Sequence, residues 1–103
     1  MNDRELLEMA AKAAGYTLED DSDVNGEWWP WCVELKDHWH PLVDDGDALR
    51  LATKLNLLID TCGMCARPLD DSIGWVDGVG DTAEGRVRFA IVKVAAEIGR
   101  GMK

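Results

Sequence analysis

Five residues have the types and spacing to hold a metal ion: Cys32, His38, His40, Cys62 and Cys65. Cys62 and Cys65 stand at Cys-x-x-Cys spacing. Two thiolates so placed can share one tetrahedral ion or close one disulfide, which suits half a zinc site or a redox pair. Zinc needs more than one such pair, so Cys32, His38 or His40 has to complete a Cys3His or Cys2His2 set. His38 and His40 face the same way if their segment is extended. The redox reading lacks its usual setting, because Arg67-Pro68 follows where a helix would have to begin. Three cysteines are an odd number, so they cannot all pair within the chain, and in a reducing compartment they are free thiols. The expectation is no resident cofactor, with a small zinc- or thiol-dependent protein as the alternative.

Other chemistry is weaker. Asp21-Ser22-Asp23-Val24-Asn25-Gly26 matches the first half of a calcium loop, with oxygen ligands at alternate positions and then glycine. The second half fails, since Cys32 stands where a bidentate Glu is needed and Pro30 precedes it. The segment reads instead as a hairpin turn with solvated acids. Gly78-Val79-Gly80 is too short to cradle a phosphate, and Asp81 beside it repels anions. No Ser/His/Asp arrangement emerges. No catalytic residue is assigned, and the chain is expected not to be an enzyme.

Charge and tryptophan point toward binding. The net charge is −9 and lopsided: residues 1–48 hold 13 Asp/Glu against 3 Lys/Arg, and residues 49–103 hold 7 against 8. Such a surface repels nucleic-acid phosphates and attracts basic partners. Trp28 and Trp29 are consecutive, so on a strand they point to opposite faces, and a domain this small has difficulty burying both. An exposed Trp beside the acidic residues Glu19, Asp20, Asp21 and Asp23 makes a patch of the kind that binds another protein.

The elements that position these residues follow from periodicity. Residues 2–14 read as a helix capped by Asn2 or Asp3, with Leu6, Leu7, Ala10, Ala13 and Ala14 on one face and Gly15 as its stop. Residues 16–18 make a short strand. Asn25-Gly26 is a turn, and residues 27–35 are a strand with Trp29, Trp31, Val33 and Leu35 on one side. Pro30 suggests an edge strand or a bulge. Residues 45–55 form a second helix, its N-terminus crowded by Asp44, Asp45 and Asp47, its buried stripe Ala48, Leu51, Ala52 and Leu55. Residues 57–62 suit a strand, 63–71 a loop, and 72–76 a short strand. The last helix spans about residues 82–98, with Asp81 at its cap and Val87, Ala90, Ile91, Val94, Ala95 and Ile98 as its apolar stripe.

The segment Trp39-His40-Pro41-Leu42-Val43-Asp44-Asp45-Gly46-Asp47-Ala48-Leu49-Arg50-Leu51-Ala52 resembles the signature of a family of small bacteriophage and prophage proteins, the phage ABA (α/β/α) sandwich domain. That signature is similar to Trp-Asn-Pro-Leu-x-Asp-Asp-Gly-Asp-Ala-Leu-Arg-Leu. The opening Met1-Asn2-Asp3-Arg4-Glu5-Leu6-Leu7 and the closing run from Arg88 to Arg100 resemble it too, so the likeness spans most of the chain. His40 stands where the pattern has Asn, and Cys62-Gly63-Met64-Cys65 lies outside it. The resemblance implies a phage or prophage accessory protein and no particular reaction. The same motif also has a purely structural account: Pro41 fixes an extended entry, Trp39 anchors it, and the Asp cluster starts a helix.

The expectation is one domain over residues 1–103, of α+β class. It is an α/β/α sandwich with a small, mostly antiparallel sheet and about three helices in the order α-β-β-α-β-β-α. No apolar run approaches the ~20 residues of a membrane span, and the acidic start is unlike a signal peptide. A cytoplasmic protein engaging a host or phage protein is expected.

Overall fold

The computed structural model describes residues 2–70 and 73–102. Three helices carry the core: α1 (Asp3–Ala14), α2 (Asp45–Lys54) and α3 (Ala83–Arg100). Among the described residues six short strands complete the α+β fold: β1 (Leu18–Glu19), β2 (Trp31–Cys32), β3 (Asp37–His38), β4 (Leu57–Asp60), β5 (Cys65–Pro68) and β6 (Val76–Asp77). They form two antiparallel sheets in the orders β1-β2-β3 and β4-β5-β6. The class, the helices and the antiparallel pairing agree with the sequence reading. The element order gains one strand on each side of α2, and the strands divide between two sheets.

The helix ends follow their local chemistry. Asn2 Oδ1 accepts from the Glu5 N–H at 2.8 Å, and Gly15, at φ 78°, takes the left-handed stop. Asp44 caps α2 by accepting from the Gly46 N–H. Thr82, not Asp81, caps α3, its hydroxyl accepting from the Gly85 N–H at 3.0 Å. A Cβ on Gly85 would lie 2.9 Å from that hydroxyl oxygen, so the glycine makes room for the cap.

The strand boundaries move: β1 lies at Leu18–Glu19 rather than over residues 16–18, and β4 ends at Asp60 rather than at Cys62. The ladder expected over residues 27–35 contracts to Trp31–Cys32, because Pro30 has no N–H to donate and the chain turns at Lys36, whose φ is 55°. β2 is also the central strand of its sheet, with Pro30 just outside it rather than on an edge. The loop expected over residues 63–71 contains β5, the central strand of the second sheet. Pro68 is tolerated there as the strand's last residue, opposite Leu57. Asp60 turns the chain from β4 into β5 by accepting from the Cys62 and Gly63 N–H groups, each at 3.0 Å. The strand expected over residues 72–76 starts at Val76; its expected first residue, Ser72, lies outside the described residues.

α3 is the hub. It packs on α1, α2 and the second sheet, which turns Leu57, Ile59, Ala66 and Val76 toward the core. The approach to α1 is unusually close. Ala10, Ala11 and Ala14 are buried on one helix, and Ala90, Ala95, Ala96 and Gly99 on the other. A Cβ on Gly99 would stand 1.9 Å from the Met9 carbonyl oxygen. The first sheet joins the core through Leu18, Trp28, Cys32 and the fully buried Trp39, whose ring meets Tyr16 edge-on at 5.6 Å. Asp47, only 4% exposed, clasps the entry to α2: its Oδ2 accepts from the His40 N–H at 2.9 Å and its Oδ1 from Arg50 at 2.6 Å.

Gly99→Ala must part the two helices and is expected to destabilise the fold by about 1–3 kcal/mol in denaturant unfolding. Gly74→Ala, where an added Cβ meets nothing within 4 Å, serves as the control and is expected to change stability by less than about 0.5 kcal/mol.

Candidate binding surface

The acidic and tryptophan-rich residues fall on one long hairpin. Beyond β1 and β2 the two arms stay paired: the Trp29 N–H donates to the Asp21 carbonyl, Ser22 lies opposite Trp28, and the Asp23 N–H donates to the Glu27 carbonyl. Asp23 Oδ1 accepts from the Asn25 and Glu27 N–H groups at 2.8 and 3.0 Å, and Gly26 adopts φ 82°. This is the turn that Asn25-Gly26 announces. One of the two Asp23 oxygens that a calcium loop would offer to its ion is spent on the backbone.

Pairing decides which rings face inward. Trp28, Pro30 and Cys32 alternate toward the core; Trp28 packs against the core cluster, and Pro30 and Cys32 are fully buried. Trp29 and Trp31 point the other way, half-buried and outside that cluster. The expected side of Trp29, Trp31, Val33 and Leu35 thus breaks up. Val33 sits exposed in the turn after β2, and Leu35 packs on the core.

Two histidines complete the outer face. His38 lies opposite Trp31 across the β2–β3 ladder, and their rings meet edge-on at 5.2 Å. His38 Nε2 also lies 2.7 Å from Asp21 Oδ2, which ties β3 to the hairpin. His40 packs on Trp29 with ring centroids 4.9 Å apart. A cavity of about 500 Å³ opens between Ser22, Asp23, Val24, Trp29 and His38. Val24, at its rim, is fully exposed.

Two acids of this hairpin, Asp20 and Asp21, are held as anions. The hydrogen bond with His38, then that from the Ser22 N–H, holds the Asp21 carboxyl below the usual range. The Trp28 indole N–H and Arg4 do the same for Asp20. Arg4 in turn bonds both Glu8 and Asp20 and lies 5.0 Å from the Trp28 ring centroid. Glu19 is exposed at the end of β1. Of the six residues expected to bind a partner, Trp28 and Asp20 form a separate cluster with Arg4, in which Asp20 and Arg4 stay exposed, whereas Trp29, Asp21 and Asp23 border the open face. Trp31 and both histidines belong to that face as well. The sequence signal for them was the alternation Trp29-x-Trp31 against His38-x-His40, once the two segments are recognised as neighbouring strands.

The candidate metal ligands are dispersed. Cys32 is buried in the first sheet, and the histidines lie on that sheet's outer side. Cys62 is exposed in the β4–β5 turn, and Cys65 begins β5 opposite Asp60 and Asp77. Among the described residues no three His, Cys, Asp or Glu side chains gather around one ion position. Burial pushes the thiols of Cys32 and Cys65 up, which suppresses the thiolate needed for nucleophilic or redox work.

No family model, curated protein or solved structure matches this chain.

Burial pushes the His40 imidazole down from its ordinary value, against opposing effects from its backbone and from Asp3 and Asp47. The unfolded chain then takes up a proton more readily than the folded one. The stability His40 contributes is complete above its unfolded value of about 6.5 and is lost as pH falls through the lower folded value. Melting temperature is expected to fall between about pH 7 and about pH 5, and to fall less in His40→Phe, which keeps a ring against Trp29. Equal slopes for the two proteins would contradict this.

Proposed function

We propose that this chain is a non-enzymatic interaction module that docks a basic protein on the outer face of its first sheet. One observation carries the reading: Trp29, Trp31, His38 and His40 form a half-exposed aromatic surface bordered by Asp21 and Asp23. Aromatic rings supply contact area at low entropic cost. The carboxylates select a cationic partner and repel nucleic acid. The excess of acid over base in residues 1–48 adds long-range steering that weakens with salt. Among the described residues no helix is long and apolar enough to cross a membrane. The resemblance to phage ABA sandwich proteins supplies the setting for the proposal: a phage or prophage accessory protein acting in the host cytoplasm on a host or phage protein. Inhibition of a nucleic-acid-binding host protein by charge mimicry is one form this would take.

The test is quantitative capture from a bacterial lysate by the wild-type chain and by a Trp29→Ser/Trp31→Ser variant verified as folded. The wild type is expected to retain a basic protein that salt releases and the variant does not hold. Identical retained proteins for the two would contradict the assignment of the face.

A further inference from the structure

We propose that the cavity beside the Asp23 turn receives an arginine side chain of the basic partner. This rests on the reading of the face as a docking surface and gives that surface a specific anchor point. The cavity, about 500 Å³, has the volume of a small-ligand site and is ample for one long side chain.

Its walls differ in chemistry. Trp29 supplies a flat indole, braced from elsewhere by His40 at 4.9 Å. Asp23 supplies a carboxylate. Its Oδ1 is occupied by two backbone N–H groups, and its Oδ2 has no hydrogen-bond or ion-pair partner among the described residues. Val24, fully exposed at the rim, offers apolar cover to the aliphatic stem of an incoming side chain. His38 closes the far side, held by Asp21 and by the edge-on Trp31 ring.

An anion is disfavoured here. Asp23 lines the cavity, Asp21 is bonded to its His38 wall, and Arg4 is already bonded to Glu8 and Asp20. Among cations, guanidinium fits better than ammonium. It is planar, it stacks on an indole, and its weaker hydration makes entry beside Trp29 and Val24 less costly. Its N–H groups pair with carboxylates, and Asp23 lines the same cavity as the Trp29 ring.

The experiment is an NMR titration of the full chain with two short peptides that differ only in one Arg or Lys, followed at the Trp29 indole N–H and across the backbone. The Arg peptide is expected to shift the Trp29 signal saturably and to bind at least about threefold more tightly than the Lys peptide. Asp23→Asn keeps Oδ1 as the turn's acceptor and removes the charge. It is expected to weaken the Arg peptide about tenfold. Glu5→Gln makes the same charge change on exposed α1 and is expected to leave binding within about twofold. If both peptides bind alike and both variants weaken them alike, the arginine cavity is overturned while the acidic docking surface stands. If neither peptide perturbs the first sheet's outer face, both readings fall together.

Discussion

The close contact between α1 and α3 is the constraint on which the rest of the fold depends. Small residues line it, and Gly99 lets the backbone of α3 come against the Met9 carbonyl, where any Cβ would stand at 1.9 Å. Because dispersion is short-ranged, two helices this close gain more from backbone and Cβ contact than from large side chains. α3 is thereby held centrally, with Val92 and Val94 wholly inaccessible and α2 and the second sheet also packed on it. The first sheet is left to join the core by its inner residues alone, and this leaves its other side open.

Pro30 then determines what that side carries. It cannot donate a ladder hydrogen bond, yet its carbonyl accepts from the Trp39 N–H at 2.9 Å, so it is a joint between β2 and the segment that follows β3. With Pro30 and Cys32 directed inward, strand alternation sends Trp29 and Trp31 outward. The same joint draws Trp39 into the core, and Asp47 fixes the neighbouring His40 backbone from the first turn of α2. A single register therefore buries one tryptophan and leaves two others half-buried on the outer side, beside carboxylates. This side presents rings on a braced sheet beside the Asp21 carboxylate, which His38 holds as an anion.

Much of this architecture is legible in the residues themselves. The helices declare themselves through apolar spacing, Asn2 or Asp3 as a cap, the acids Asp44, Asp45 and Asp47 at the start of α2, and Gly15 as a stop, because these signals act within one or two turns. The Asn25-Gly26 turn is equally local. The strands are harder to read, since two residues of ladder leave almost no periodic trace. β5 in particular has Cys65, Ala66 and Pro68 buried without any alternation a sequence could display. Thr82 displaces Asp81 as a cap, and only the observed backbone shows which side chain reaches the Gly85 N–H. At the candidate surface, the acids and Trp29 were visible from composition and spacing. The pairing of Trp31 with His38 was not, because it is made by register between β2 and β3 rather than by distance along the chain. The dispersal of Cys32 from Cys62 and Cys65 likewise follows from the division into two sheets, which no spacing rule anticipates.

The first sheet turns Trp39 inward and Trp29 and Trp31 outward. The most direct measurement is hydrogen exchange of the indole N–H groups, resolved by NMR for each assigned tryptophan. Trp39 is expected to exchange slowest, near the rate set by global unfolding. Trp29 and Trp31 should exchange fastest in this sheet, with Trp28 between them because its N–H donates to Asp20. Protection of Trp29 and Trp31 equal to that of Trp39 would mean that the outer face is buried, and would contradict the account.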